Sequence, residues 1–278
     1  MSLHSSRHRR ARPHLGTLVD ITLDEPDEAR AQEAFEAAFA AVARVHGLMS
    51  AHDPDSELRR LLLSAHRCAV RVHPDTARVL RLAQAVHAES KGIFDVAAHT
   101  GSGGSTDDIV IDADDRVRFR RPLRIDLGGI AKGYAVDCAV QVLQARGVAG
   151  ALVNAGGDMR CFGATAYPVH LRFAGGVRTV ALLRDAALAA SCHAADLERD
   201  TDADVDTDVD AAAARTPPPH VDARSGRTMR RPESIVVHAR SAAVADALTK
   251  VAMVCAATAD RACLAMQAQW RSFDYCSA

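Results

Sequence analysis

Hydrophobic and polar residues follow different periods along the chain, and each period predicts a different kind of element. Apolar residues at every second position between residues 16 and 23 predict a strand. Apolar residues at helical spacing predict amphipathic helices over residues 28–47 and 74–90. Shorter runs predict strands at 109–111, 117–119, 160–162, 169–173, 179–183, 187–190 and 234–239, and a helix at 242–255. This mixture predicts an α/β (α+β) fold.

The stretch over residues 124–158 carries the most information about function. Its pattern predicts a strand at 123–127, a glycine pair at 128–129, a helix at 131–146, a strand at 151–153 and a second glycine pair at 156–157. Gly147 follows the helix, where glycine commonly ends helices. The whole unit is therefore a strand, turn, helix, strand and turn.

The first glycine pair has a chemical interpretation. Glycines before a helix allow backbone N–H groups at the positive end of the helix dipole to approach a phosphate. Lys132 adds a cation in the first turn, and Asp126 can accept a hydrogen bond from a sugar or a ring N–H. The pattern lacks the GxGxxG and Walker spacings, so taken alone it is equally consistent with glycines that serve packing only.

The exact amino-acid sequence of this stretch is more specific than its pattern of glycines and apolar residues. Residues 126–135 read DLGGIAKGYA and residues 154–158 read NAGGD. Together, and in this order, they closely resemble the ApbE family, the FAD:protein FMN transferases. The resemblance extends from about residue 16 to about residue 254. It implies two sheet-and-helix halves that flank a nucleotide cleft. It also implies transfer of FMN from FAD, with Mg²⁺, to a Ser or Thr hydroxyl of an acceptor flavoprotein, with release of AMP.

The same resemblance implies roles for individual residues. It implies FAD contacts at Leu15, His52, Ile93, Phe94, Asp95, Asp126, Gly128, Lys132 and Val221. It implies metal binding around the backbone carbonyl of Gly129 and at Asp246, with Thr249 and Lys250 beside it. His220 and Asp246 are the candidate catalytic residues, with His220 as the candidate general base.

Several positions depart from the family pattern. His52 stands where relatives usually carry a Tyr, and its flat ring preserves some stacking ability. The alternative for this segment is a helix start with Asp53 as cap and Pro54 at the first position. Residues 97–107 are Gly/Ser-rich and shortened. His220 stands one residue nearer to Asp222 than in relatives, which would turn it to the other face of a strand. Asp222 and Gly226 alternatively form only a surface turn.

The sharpest departure is Lys250. Relatives carry an Asp and, four residues later, a Thr that bind magnesium. Here Asp246 is followed by Thr249 three residues later and Lys250 four residues later. A protonated lysine has no lone pair for a metal. Lys250 could pair with Asp246 on the surface, or its ammonium could occupy the place of the metal against the phosphates.

Composition excludes some classes of function. The formal net charge is −1 and aromatic residues make up 4 %, so neither charge nor stacking surfaces indicate nucleic-acid binding. The seven cysteines are scattered without CxxC or zinc spacing, which indicates reduced thiols in a cytoplasmic protein. No apolar stretch is long enough for membrane insertion, and no apolar region follows the N-terminal arginines as a signal peptide requires.

The domain prediction follows from these segments. Residues 1–14 are expected to form a disordered basic tail, and residues 15–278 a single ApbE-like domain. Residues 195–217 are a low-complexity acidic run, which predicts a disordered insertion.

Flavin transfer is the leading interpretation, and three alternatives stay open. The departures from the family pattern favour a degenerate protein that binds FAD without transferring FMN. A magnesium-dependent FAD pyrophosphatase would need the same cleft but no acceptor protein. An α/β domain without flavin is opposed only by the motif match.

Overall fold

The computed structural model describes residues 7–98, 103–173, 176–191, 222–226 and 233–274. Within these ranges, seven strands form the main sheet. They are β1 (Arg7–His14), β2 (Thr17–Asp24), β6 (Gly150–Ala155), β7 (Asp158–Phe162), β10 (Ala187–Ser191), β11 (Glu233–Ala239) and β12 (Gln269–Asp274). Their spatial order is β1-β2-β6-β7-β10-β11-β12. Every neighbouring pair is antiparallel.

Helices cover one face of this sheet. They are α1 (Glu28–Met49), α4 (Ala131–Ala145), α5 (Ala242–Val254) and α6 (Ala256–Ala265). Helix α4 packs on β6 and β7, α5 packs on β10 and β11, and α1 packs against α4. Alternate residues of β2 (Val19, Ile21 and Leu23) are fully buried in the shared core, as the period-two pattern of the sequence predicts.

A smaller sheet and two helices complete the helical side of the molecule. The sheet has the order β3 (Val70–Arg71), β5 (Arg116–Phe119) and β4 (Ile109–Ile111). The helices are α2 (Glu57–Ser64) and α3 (Pro74–Glu89). On the other side of the main sheet, the hairpin of β8 (Tyr167–Phe173) and β9 (Gly176–Leu183) contributes to a second, smaller apolar cluster. The predicted mixed α/β fold is confirmed.

Two local predictions are wrong, and several elements were not predicted. Residues 123–127 do not form a strand; Leu123, Ile125 and Leu127 alternate into the core, but no strand within the described ranges pairs with this segment. Asp53 does not cap a helix, because α2 begins at Glu57 with Ser56 as its cap. The short elements β1, β3, α2, α6 and β12 are missing from the sequence-based prediction.

The disordered tail expected at residues 1–14 is also wrong for residues 7–14, because they form strand β1. Its arginines have acidic partners on the neighbouring elements: Arg9 donates to Asp20 at 2.7 Å, and Arg12 pairs with Glu36 of α1. The Arg12 guanidinium also lies 4.6 Å from the centroid of the Phe39 ring. These partners lie far along the chain, so the local sequence does not reveal them. Residues 1–6 and the acidic run at 195–217 lie outside the described residues.

Candidate functional site

The site forms where α4 and α5 cross. A Cβ added at Gly133 of α4 would lie 2.2 Å from the backbone oxygen of Ala242, the first residue of α5. Glycine therefore permits the start of α5 to contact α4 directly. This approach brings Asp246, one turn further along α5, to the first turn of α4. The backbone N–H of Gly133 donates to Asp246 Oδ2 at 3.2 Å.

Two lysines and two aspartates meet at this crossing, and we call them the lysine–aspartate cluster: Lys132, Asp158, Asp246 and Lys250. Lys250 Nζ donates to Asp246 Oδ1 at 2.7 Å. Lys132 Nζ donates to Asp158 and lies 3.9 Å from Asp246 Oδ2. The Asp246 side chain is 0 % exposed and that of Asp158 3 %, whereas Lys250 and Lys132 are 25 % and 31 % exposed. The carboxylates thus lie beneath ammonium groups that reach the surface.

Burial and mutual attraction set the charges of the cluster. Burial opposes the charge on Lys132, but Asp246 and Asp158 outweigh it and raise the pKa of Lys132 to about 12. Burial favours the neutral form of Asp246, yet Lys250 and Lys132 hold its pKa below the usual range. Burial and the charge of Asp246 raise the pKa of Asp158 to about 6, against the opposing effect of the two lysines. Near neutral pH Lys132 therefore carries its charge next to Asp246 as an anion.

The first glycine turn lies against the cluster. A Cβ at Gly129 would lie 3.4 Å from the Phe94 ring and 3.7 Å from the side-chain carbons of Lys250. Asp126 is exposed beside this turn, and its Oδ1 accepts the Gly128 N–H at 2.8 Å. Two N–H groups near the start of α4, those of Gly128 and Gly133, therefore already have carboxylate partners. The positive groups available beside the turn are therefore the ammonium groups of Lys132 and Lys250, rather than these backbone N–H groups.

Lys250 has two further oxygen neighbours. Its Nζ lies 3.0 Å from Thr249 Oγ1 and 3.4 Å from Ser191 Oγ, at the end of β10. Ser191 donates to Thr249 Oγ1 at 2.9 Å, and Thr249 donates to the Asp246 backbone oxygen at 2.7 Å. Of the two positions considered for Lys250, the structure shows the inward one, among buried oxygens.

Phe94 and Asp95 lie next to each other but have different surroundings. Phe94 is buried beside Gly129, and Ile93 is buried as well. The Asp95 carboxylate instead organises the following loop: it accepts hydrogen bonds from Ser105 Oγ and Thr106 Oγ1, each at 2.8 Å, and from nearby backbone N–H groups. Asp95 therefore fixes the shape of this loop, and a direct flavin contact for it stays a prediction.

The remaining predicted FAD contacts are distributed around the molecule. Leu15 has a positive φ of 56° in the β1–β2 turn and lines an open cavity of about 450 Å³ with Thr17 and His46. The second glycine turn adjoins this region, because a Cβ at Gly156 would lie 2.6 Å from Thr17 Oγ1. His52 is exposed in the loop before α2.

Two of the predicted site residues, His220 and Val221, lie outside the described residues. Asp222 begins a turn in which it accepts the Gly226 N–H at its backbone oxygen, at 2.9 Å, as the turn interpretation predicts. The roles predicted for His220 and Val221 stay predictions.

The residues of the cluster do not fit a divalent cation in this arrangement. Magnesium prefers near-octahedral oxygen ligands and an excess of negative charge. Here the two carboxylates are already paired with two ammonium groups. Across the part of the chain that the structure describes, no group of three or more His, Cys, Asp or Glu side chains could hold a metal ion.

The sequence-based prediction missed two members of the site, Asp158 and Ser191. Asp158 closes the NAGGD motif, but nothing in the motif identifies it as the partner of Lys132. One signal was available in the composition. Only three of the 34 basic residues are lysines, and two of those three belong to the cluster.

Fold and site together define a mixed α/β protein with a cationic cluster at a glycine turn. Comparison with protein families adds the name of the group. The ApbE family model matches residues 15–102 and 103–271, so the chain belongs to the ApbE family. No curated protein sequence matches the chain significantly.

Solved structures share this fold at low sequence identity. The flavin transferase ApbE from Vibrio cholerae superimposes with a TM-score of 0.75 at 20 % identity, over 98 % of each chain. The apbe protein from Thermotoga maritima gives 0.76 at 22 % identity, over 95 % of this chain and 93 % of the other. The apo form of the Pseudomonas stutzeri flavinyl transferase ApbE gives 0.74 at 17 % identity, over 91 % and 86 %. Among the described residues, no helix combines the length and apolar character needed to cross a membrane.

Proposed function

We propose that this protein transfers FMN from FAD to a Ser or Thr hydroxyl of an acceptor flavoprotein and releases AMP. The acceptor oxygen forms a bond to the phosphorus of the FMN half. The bond from that phosphorus to the bridging oxygen breaks, and AMP leaves with this oxygen. The proton of the acceptor hydroxyl is lost in the same reaction. His220 is the proposed general base, by resemblance to the family.

The observation that carries this proposal is the lysine–aspartate cluster beneath the Gly128-Gly129 turn. Phosphoryl transfer is accelerated mainly by positioning and by fixed charge near the phosphate oxygens. Lys132 and Lys250 are partly exposed, and each is held by a buried carboxylate, so both ammonium groups have fixed positions. We assign them to the two phosphates of FAD.

In this proposal Asp246 is a positioning residue rather than a base. Its lowered pKa and its hydrogen bonds from Gly133 and Lys250 leave it poorly suited to accept a proton. Its role is to hold Lys250 in place. Phe94, which is buried beside Gly129, is assigned with Ile93 to the flavin side of the cleft, and Asp126 to the sugar or ring N–H groups of FAD.

The proposed partners follow from the reaction. FAD is the substrate, and the acceptor is a flavoprotein with a Ser or Thr at its flavinylation site. The structure of the cluster does not favour a role for Mg²⁺, and no step of the proposed reaction uses it. The cytoplasmic location is inferred from the scattered cysteines of the sequence.

The test combines mass spectrometry of a co-expressed acceptor domain with chromatography of the nucleotide products. We expect covalent FMN on the acceptor and one AMP per FMN transferred. Lys132→Met should slow transfer by about 10²-fold, because it removes a charge that stabilises the transition state. Lys91→Met is the matched control, since Lys91 is an exposed lysine outside the cluster. AMP release without acceptor modification would instead identify an FAD pyrophosphatase.

A second candidate function is FAD binding without transfer. The pairing of Lys250 with Asp246 favours it, because that pair fills the position that the family resemblance gives to the metal. The same assay decides between the two functions. Stoichiometric FAD binding with neither AMP release nor acceptor modification would show that the protein is a binder.

A further inference from the structure

We propose that this site binds the diphosphate of FAD without a divalent cation, and that the ammonium of Lys250 is the cation that takes its place. The inference rests on the proposed function for the identity of the ligand. It goes beyond that function because it assigns the source of the positive charge at the phosphates.

The first argument is the coordination of Lys250. A lysine ammonium has three N–H donors. Among the described residues, Lys250 Nζ has three oxygen neighbours: Asp246 Oδ1 at 2.7 Å, Thr249 Oγ1 at 3.0 Å and Ser191 Oγ at 3.4 Å. Carboxylate and hydroxyl oxygens of this kind are the ligands that magnesium would need. A metal at this position would have to displace the ammonium from all three.

The second argument is the packing of the Lys250 stem. Its side-chain carbons lie 3.7 Å from the position of a Cβ on Gly129. The stem therefore runs along the glycine turn, close enough that a side chain at Gly129 would contact it, and the ammonium ends at the cluster. The side chain is 25 % exposed, so a phosphate oxygen can reach it from the cleft. The long contact to Ser191 is the weakest of the three and the first to be exchanged for a phosphate oxygen.

The third argument is the charge of the cluster. Two aspartates and two lysines give a formal charge of zero. A divalent cation would gain no net attraction there, and it would be repelled by two nearby ammonium groups. A diphosphate would be attracted instead, because the lysines are the exposed members of the cluster and the carboxylates are buried behind them.

The fourth argument is the residue type. Arginine is by far the commoner basic residue in this chain, yet both basic positions of the cluster are lysines. A lysine ammonium is a compact charge that fits between a carboxylate and two hydroxyls, whereas the wide planar guanidinium of arginine does not. The cluster therefore uses the side chain that most closely replaces a small inorganic cation.

The binding test measures FAD affinity by titration calorimetry in excess EDTA and again in excess MgCl₂. For the wild-type protein we expect the two dissociation constants to agree within about twofold. Lys250→Met should weaken FAD binding in EDTA by at least about tenfold, the scale of one charge-assisted contact. Lys91→Met, the control lysine variant, should bind like wild type. FAD binding by wild type that is tenfold or more tighter with magnesium would overturn the inference.

A second measurement does not require FAD. Electron paramagnetic resonance with Mn²⁺ alone reports a divalent-cation site directly. We expect no stoichiometric Mn²⁺ binding to wild type, and binding to Lys250→Thr, which removes the ammonium and adds a hydroxyl. Stoichiometric binding by wild type that Asp246→Asn abolishes would overturn the inference. Both wild-type measurements stand even if a variant fails to fold.

The outcomes for the inference and for the proposed function are distinguishable. FAD binding in EDTA without AMP release or acceptor modification supports metal-free binding and rejects transfer. Transfer that occurs only with magnesium-dependent FAD binding supports the function and rejects the role of Lys250. Failure to bind FAD under either condition rejects both.

Discussion

Replacing Gly133 by alanine should destabilise the protein and disturb the site together. The added methyl would lie 2.2 Å from the Ala242 oxygen and 2.7 Å from the Ala243 nitrogen, both of which are backbone atoms. No rotamer change can relieve such contacts, because neither atom belongs to a flexible side chain. Helix α5 must therefore move away from α4 by about 1 Å, since non-bonded heavy atoms prefer separations near 3.5 Å.

The expected loss of stability follows from the hydrogen bonds that this movement of α5 would stretch. The Gly133 N–H donates to Asp246 at 3.2 Å, and Asp137 of α4 accepts the N–H groups of Ala242 and Ala243, each at 3.0 Å. Overpacking costs about 1–3 kcal/mol, and weakening a hydrogen bond to a charged group costs about 1.5–3 kcal/mol. Alanine returns about 1 kcal/mol through its higher helix propensity. We expect a net loss of about 3 kcal/mol.

A matched control is available in helix α1. Gly47 is helical, and an added Cβ there meets no atom of the described part of the chain within 4 Å. Gly47→Ala should therefore stabilise the protein by about 0.5–1 kcal/mol. Urea denaturation followed by circular dichroism measures both variants. If Gly133→Ala were neutral or stabilising like Gly47→Ala, the close approach of α4 and α5 would be refuted. Where Gly133→Ala still folds, it should also bind FAD more weakly, because α5 carries Asp246 and Lys250.

Three further predictions concern the cluster and a helix cap. Asp246→Ala should cost about 3–5 kcal/mol of stability, because it leaves Lys250 without its carboxylate partner. Adding Lys250→Met should restore part of that loss, because it removes the unpaired charge. If the effects of the two substitutions simply add in urea denaturation, the two side chains are not energetically coupled. Ser56→Ala should cost about 1–2 kcal/mol of stability, because the fully buried hydroxyl accepts a hydrogen bond from an N–H of α2 and donates one to a backbone oxygen. An unchanged urea denaturation midpoint would count against this capping role. Asp158 binds a proton more tightly in the folded state, because its pKa is about 6 there against an ordinary 3.8, so its ionisation lowers stability as pH rises from about 4 to 6. Asp158→Asn should therefore gain stability relative to wild type over that pH interval. A difference in unfolding free energy between the two proteins that does not change with pH would contradict the assignment.

The sequence predicts the elements that have a strong period. The helices at 28–49, 74–89, 131–145 and 242–254 were predicted within about two residues of their ends. Helices α1 and α3 each bury one face, and α4 and α5 are long apolar segments that are buried on most sides. Strand β1 was not predicted. Its arginines suggest a solvated tail, and only their partners on β2 and α1, which are distant in sequence, make them part of a sheet.

The site was predictable at the level of its motifs but not of its contacts. The glycine turn, Lys132, Asp246 and Lys250 were all identified from the sequence, and the structure brings them together. The spacing of Asp246 and Lys250 places them on one helix face, which is consistent with either a surface pair or a buried one. Only the packing of α5 against α4 decides between these, and that packing depends on Gly133.

The cluster links the stability of the fold to the binding of an anion. Asp246 is fully buried, and a buried carboxylate is tolerated only when charged or polar partners surround it. Lys132 and Lys250 must therefore stay charged for α5 to pack on α4. The same two charges are the ones exposed to a phosphate, so loss of either lysine should lower both stability and FAD affinity. The two effects separate in the Asp246→Asn/Lys250→Met double variant, which removes the pair together. If its stability approaches that of wild type while FAD binding stays weak, Lys250 contributes its charge to the ligand as well as to the fold.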